Sequence, residues 1–233
     1  MLWDSGCLSL RDHDRPTFCV TLVNLPTLQP MNAAEHFICS SSLWRYFTQR
    51  QLLPWILSGA CLGDHLLEVG AGYGAATADL TTRVSRVTSL EYDHKSACKL
   101  KSLCRNGAAA AIRGDAARLP FACEAFSSVL TILVLHHLKS RELQNQMFAE
   151  VFRVLRPGGI FVAFEITDSW FHRFSHFRST FTPLAPASAF PRLSAAGFSG
   201  IDLDLRKGAF RLTATRLNEE APRAQLKNQK LKT

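Results

Sequence analysis

The residues of this chain best suited to chemistry are three acids, Glu68, Glu91 and Asp115, and two adjacent imidazoles, His136 and His137. Glu68 lies inside an apolar run, His65-Leu66-Leu67-Glu68-Val69, that ends in Gly70-Ala71-Gly72-Tyr73-Gly74. A turn without side chains at a strand's carboxyl end lets a ligand approach the backbone, and the first amides of a following helix are unpaired donors that face it. Glu91 follows the first glycine by about 20 residues, the separation at which an acid from the next strand's end reaches a ribose and accepts from its two vicinal hydroxyls. These groups point to a crevice for an adenosine-type cofactor. Paired imidazoles can bind metal or shuttle a proton. Their flanks supply no further close ligand, and neighbours at a strand end are expected to point in opposite directions. No metal is therefore expected, and His136 and His137 stand as candidate general bases.

Glycine spacing alone is ambiguous, because Gly70-x-Gly72-x-x-Ala75 also satisfies the dinucleotide fingerprint. The tighter Glu68-x-Gly70-x-Gly72-x-Gly74 resembles motif I of the class I S-adenosylmethionine (SAM) dependent methyltransferases. Three further segments carry the resemblance in the same order: Arg113-Gly114-Asp115-Ala116-Ala117-Arg118-Leu119-Pro120-Phe121, the turn Leu135-His136-His137-Leu138, and Arg153-Val154-Leu155-Arg156-Pro157-Gly158-Gly159 ahead of an apolar strand. The likeness covers residues 31–216 and resembles the small-molecule, type 11-like members. It implies SAM as cofactor, with Glu68, Gly70, Ala71, Gly72, Gly74, Glu91, Tyr92, Asp115 and Ala116 at its site. Glu91 would take the ribose hydroxyls, Asp115 the adenine amino group, and the backbone amide of Ala116 a ring nitrogen. Ser127 departs from the pattern, since the family usually carries an acid directly after the phenylalanine.

Periodicity supplies the elements that must position these groups. Apolar runs predict strands over 65–69, 86–90, 108–112, 160–165, 201–205 and 209–215, with a central one in the stretch 126–138 that leads into the histidine turn. Helical spacing predicts a helix over 43–57, capped by Ser41 or Ser42, bent by Pro54 and carrying Leu43, Phe47 and Leu52 on one side. Further helices are expected over 75–84, 94–105, 141–155 and from residue 188. The class is α/β, and the resemblance implies a Rossmann-like, doubly wound, seven-stranded sheet, mostly parallel with an antiparallel last strand and helices on both faces. The helix before the first strand would cover the crevice. The resemblance implies a SAM-dependent domain over residues 31–216, with a poorly ordered extension expected over 1–30 and a basic tail over 217–233.

At 233 residues and 47% hydrophobic, the chain suits one α/β domain with extensions. The longest apolar runs are too short to span a bilayer, and the charged amino end makes a poor secretory signal. The seven cysteines are scattered without a C-x-x-C pair, which favours a reducing compartment over a disulfide framework or zinc site. A cytoplasmic location is expected. The net charge of +8 collects partly in the tail and partly at Lys95, Lys99, Lys101 and Arg105, whose helical spacing suits a solvated face better than a nucleic-acid surface.

Methyl transfer from a sulfonium needs alignment and exclusion of water more than covalent help. A chain with a cofactor site and no catalytic triad agrees with that. A short-chain dehydrogenase would need Tyr-x-x-x-Lys, whereas Tyr46, Tyr73 and Tyr92 are followed four residues later by Arg50, Thr77 and Ser96. Enzymes that methylate adenine bases or glutamine amides typically carry Asn/Asp-Pro-Pro-Tyr/Phe where this chain has Leu135-His136-His137-Leu138. The reading is therefore a SAM-dependent methyltransferase acting by in-line displacement on a small-molecule acceptor. Trp44, Tyr46 and the aromatic stretch 170–177 lean toward an apolar or aromatic one. The alternative is a catalytically inactive SAM-binding interaction protein, which Ser127 alone favours. The fold's pattern begins near Met31, which could itself serve as the start. A chain beginning there should melt cooperatively and keep its affinity for SAM, and loss of either would show that residues 1–30 belong to the fold.

Overall fold

The computed structural model describes residues 32–107, 109–175 and 179–218. The expected extension over 1–30 and nearly all of the expected tail lie outside them. In chain order the elements are α1 (Ala33–Ser40), α2 (Ser42–Phe47), α3 (Leu53–Ile56), β1 (His65–Val69), α4 (Thr77–Leu80), β2 (Arg86–Glu91), α5 (His94–Leu103), β3 (Ala110–Arg113), β4 (Phe126–Ile132), α6 (Arg141–Val154), β5 (Leu155–Ile166), α7 (Trp170–Ser175), α8 (Pro186–Ala195), β6 (Ser199–Arg206) and β7 (Ala209–Thr215). The strands form one sheet of seven in the order β3-β2-β1-β4-β5-β7-β6. Strands β1 to β5 pair in parallel, and β7 runs antiparallel to both β5 and β6. This is the doubly wound arrangement expected, with its last strand reversed. Order turns back between β1 and β4, the place where loops at the strands' carboxyl ends part and leave a crevice.

Both faces of the sheet are buried, so its central strands read as continuous apolar runs rather than alternating ones. Successive residues still go to opposite sides. Leu67, Val129 and Phe161 join Met147, Phe148 and Val151 of α6 and Leu193 of α8. Their neighbours Leu66, Leu130 and Val162 join Leu53 and Ile56 of α3 and Leu80 of α4.

Several expected boundaries move, each for a local reason. Ser41 caps α2, accepting from the Trp44 amide. The helix expected over 43–57 is α2, then a π-helical stretch over Thr48–Leu52, then α3. Pro54 has no N–H to donate, and the turn before it widens until the Leu53 amide reaches the Thr48 carbonyl five residues back. Leu43 and Phe47 do not pack inward with Leu52 but are 77% and 45% exposed. The helix expected over 75–84 keeps only Thr77–Leu80, because the Thr81 and Thr82 hydroxyls donate to the Ala78 and Asp79 carbonyls and end it. Leu155 opens β5 opposite Phe126 instead of closing α6.

Ser127, the departure noted in the sequence, ties two elements together. Its hydroxyl accepts from the His65 amide at 2.9 Å and lies within donating distance of the Leu62 and His65 carbonyls, at 2.7 and 3.0 Å. It anchors the entry to β1 on β4. Ser127→Ala should leave the half-buried His65 amide without its acceptor and cost about 1–2 kcal/mol. A chemical-denaturation midpoint unchanged from wild type would show that water replaces the hydroxyl there.

Candidate active site

The loops at the carboxyl ends of β1, β2 and β4 surround a cavity of about 340 Å³, lined by residues of α1 and α2, by Thr48, by residues 68–73, 75, 76, 90–93 and 132–134, and by Gly114, Ala116, His136, His137 and Ile166. That volume lies within the range of small-ligand pockets. Its floor is the glycine turn. Gly70, Gly72 and Gly74 all have positive φ, at 76°, 55° and 78°, a region that L side chains rarely enter. Their surroundings differ. A Cβ at Gly70 would collide with Val134, and one at Gly74 would crowd Leu100 and Leu103 of α5 at 3.1 Å. At Gly72 a Cβ would meet nothing within 4 Å. Gly72 thus presents bare backbone to the cavity, while Gly74 turns toward α5 and serves close packing.

Three buried carboxylates stand at the carboxyl ends of strands, and each holds a different loop. On β1, Glu68 Oε2 accepts from the Thr77 and Ser89 hydroxyls at 2.6 and 2.7 Å, joining α4 and β2 to β1. On β2, Glu91 Oε2 accepts from the Gly72 amide at 2.7 Å and Oε1 from the Asp93 amide at 2.8 Å. On β5, Glu165 Oε1 accepts from the Val134 and Leu135 amides at 2.8 and 2.7 Å, and Oε2 shares a hydrogen bond with His136 Nδ1 at 2.6 Å. Burial pushes all three toward the protonated form. Glu91 rises to about 7, because burial outweighs the amides of Asp93 and Gly72 that favour its charge. For Glu165 burial again leads, opposed by the Leu135 amide and the nearby His137.

The histidines correct an expectation. They lie in a 3₁₀ turn, Leu135–His137, and not on a strand end, so their rings come together with centroids 4.2 Å apart. His136 is buried against Glu165, while His137 is half-buried in the cavity wall. Leu133, just before the turn, has φ 59°, rare for a bulky residue, and its amide donates to the Phe164 carbonyl at 2.9 Å. Strain of this kind gathers at functional sites where the surroundings hold it in place.

The remaining expected site residues are split. Ala71 and Tyr92 line the cavity, as do Gly114 and Ala116, whereas Asp115 is not in the wall and its Oδ1 accepts from the Ala117 amide at 2.9 Å. Sequence reasoning passed over Glu165, Glu35, Cys39 and Thr48. Glu165 carried the same signal as Glu91, an acid at the end of an apolar run. Glu35 completes a capping box with Asn32, legible as Asn-x-x-Glu, and accepts from the Ser179 hydroxyl at 2.7 Å. Nothing in the sequence marked the other two. Burial and the carboxylates of Glu35 and Glu91 push the Cys39 thiol up to about 11, so it is no thiolate nucleophile. The Thr48 hydroxyl is buried in the wall with no hydrogen-bond partner among the described residues.

A family model described as a methyltransferase domain matches residues 67–163. Among curated proteins, the chain is 30% identical over 141 residues to a Mycolicibacterium smegmatis protein described as a SAM-dependent methyltransferase, covering 59% of this chain and 52% of that one. It is 33% identical over 150 residues to the demethylmenaquinone methyltransferase of Beutenbergia cavernae, covering 62% and 58%. It is 35% identical over 104 residues to the phthiotriol/phenolphthiotriol dimycocerosates methyltransferase of Mycobacterium tuberculosis, covering 42% and 36%. The chain thus spans about half the length of the first two relatives and about a third of the third. Among solved structures, a Haloferax volcanii methyltransferase in complex with its activator superposes with a TM-score of 0.64 at 14% identity, covering 82% of this chain and 100% of that one. Residues 67–163 thus match a methyltransferase domain, and the relatives and fold neighbours support a class I SAM-dependent methyltransferase. The chain's residues fit that family's cofactor: Gly72 leaves open space at the backbone, and the Glu91 carboxylate lies beside it in a cavity of small-ligand size.

The raised Glu91 sets a pH dependence. With a folded value near 7 against an ordinary 4.5, the neutral acid contributes stability that is fully present below about pH 4.5 and lost as pH rises through about 7. The loss is on the order of 3 kcal/mol. Glu91→Gln should flatten this share, so that its melting temperature gains on wild type between pH 5 and pH 8. Parallel curves for the two proteins would mean that Glu91 ionises normally in the fold.

Proposed function

We propose that this chain is an active methyltransferase that moves the methyl group of SAM to an apolar small molecule. The observation that carries the reading is Gly72, a left-handed glycine with an open Cβ direction whose amide is held by the buried Glu91. Gly70, Ala71 and Gly72 would line the cofactor, with Glu91 on its ribose hydroxyls, Tyr92 and Ala116 flanking the base, and Asp115 and the Ala116 amide taking the adenine edge. Glu68 and Gly74 act one step back, fixing α4 and α5 against the turn. When bound, SAM supplies a methyl group already activated on a sulfonium. The chain's part is then to orient, to exclude water and to handle a proton.

Trp44, Ile132, Leu133, Val134 and Ile166 give the rest of the cavity an apolar wall suited to keeping water out. Within that wall Thr48 offers one hydroxyl for a polar group of the acceptor. His136 is committed to Glu165, which holds the 3₁₀ turn in place. His137, in the wall beside it, is assigned to accept the proton that an acidic acceptor sheds as its new bond to methyl forms. Two relatives support the apolar acceptor by their names, since demethylmenaquinone and the phthiotriol dimycocerosates are both large apolar molecules. The hydrogen bonds of Ser127 give that residue a structural role, which leaves the inactive alternative without its one support.

Glu91→Ala should weaken SAM binding by roughly 10- to 150-fold, the worth of a charge-assisted hydrogen bond. Gly72→Asp should abolish it, and because φ there is 55° any side chain also adds a backbone penalty of about 1 kcal/mol or more to folding. Calorimetry and thermal melts on the same preparations check both, and a folded Gly72→Asp protein with normal SAM affinity would remove the reading's main support. Formation of S-adenosylhomocysteine should appear with reduced isoprenoid quinones or hydroxylated lipids and not with polar amines or nucleosides; the reverse pattern would overturn the apolar acceptor. His137→Ala should then lower turnover by about 10²- to 10⁴-fold at unchanged SAM affinity if the proton leaves by that route. Equal turnover would remove the base role.

A further inference from the structure

We propose that the outer face of the α1–α2 helix pair docks on a lipid bilayer bearing anionic headgroups, so that the cavity collects its acceptor from the membrane. The inference rests on the apolar acceptor proposed above and adds the surface that delivers it. In α2, Leu43, Tyr46 and Phe47 recur at i, i+3 and i+4 and so share one side of the helix. They are 77%, 62% and 45% exposed, and α1 adds Phe37 at 78%. Isolated exposed apolar residues need no explanation, but a cluster within residues 37–47 marks a contact surface. On the other side of α2, Trp44 lines the cavity, as do Thr48 just beyond its end and Ile38 of α1. The helix pair is thus apolar on its outer face as well as on the wall it gives the cavity, and it forms part of the cavity's rim.

Charge selects the occupant. From residue 36 to residue 63 the chain carries no Asp or Glu, while Arg45 and Arg50 are exposed. Arg50 follows Phe47 by three residues and continues the apolar stripe. A second copy of this chain on the same face would bring Arg50 against Arg50 with no acid between residues 36 and 63 to match it. An anionic lipid surface supplies the missing countercharge, and aromatics beside cations are the composition of helices that lie in a membrane interface. Helices of eight and six residues are far shorter than the roughly 20 needed to cross. The pair would therefore lie on the bilayer.

A second element borders the same opening. The chain leaves the cavity wall at Ile166, forms α7, and returns at Ser179, whose hydroxyl donates to Glu35 of α1. On α7, Trp170 and Phe174 are four residues apart and 80% and 73% exposed. The α1–α2 pair and α7 therefore all show large aromatics to the outside.

The test is flotation of the full chain with vesicles of phosphatidylcholine alone or of phosphatidylcholine mixed with phosphatidylglycerol. Wild type should float with the anionic vesicles, and less so as salt is raised. Phe37→Glu combined with Leu43→Glu should cut binding to the anionic vesicles at least about tenfold, since each lost anchor is replaced by a like charge. Arg45→Glu combined with Arg50→Glu should cut it by a similar factor, at about fivefold for each arginine. Both variants should bind SAM as wild type does, because none of the four residues lines the cavity. Wild type that floats with neither vesicle would overturn the proposal. So would variants that float as well as wild type, which would assign binding to the basic tail, and so would self-association that the Phe37→Glu, Leu43→Glu variant abolishes in the absence of vesicle binding. Absence of SAM binding by wild type would instead strike the methyltransferase reading and leave the flotation result standing.

Discussion

A carboxylate taken out of water must find donors or give up its charge, and this constraint organises the site. Three glutamates are buried at strand ends, and the donors that compensate them are the loops that enclose the cavity. Glu68 holds the helix after the glycine turn, Glu91 holds the turn itself, and Glu165 holds the histidine turn through two amides and an imidazole. Each loop is placed by a short, buried, directional contact to a strand, the most rigid part of the molecule.

The same constraint explains how an apolar cavity coexists with so many acids. The oxygens of Glu91 and Glu165 point at backbone amides and at a histidine, and the hydrophobic side chains of β1, β2 and β4 supply much of the wall. Glu91 has a further property. Its partner is the Gly72 amide, so two groups proposed to meet the cofactor already hold one another. Preorganisation of this kind reduces what binding must spend on ordering the turn.

The helices ahead of β1 work under a different constraint. They roof the cavity with residues that must be apolar inside, yet they leave apolar residues outside as well. Burial in the core accounts for Leu52, Leu53 and Ile56 but not for Leu43 or Phe37. Their exposure is what the proposed contact with lipid would use.

Much of this was legible in the residues themselves. The seven strands, the glycine turn and the cap of α2 at Ser41 all follow from short-range rules: apolar runs, φ preferences and capping, which depend on residues a few positions apart. Glu91 could be singled out because its distance from the glycines is set by one strand and one helix. The tertiary structure alone decided which glycine faces the cavity, because Gly70, Gly72 and Gly74 share a backbone conformation and differ only in what packs on them: Val134, open space, and Leu100 with Leu103. It alone joined His136 to Glu165 across 29 residues and set the two imidazoles side by side. It alone turned Leu43 outward, since an apolar period says that a helix has a greasy face and not whether the protein has anything to put against it.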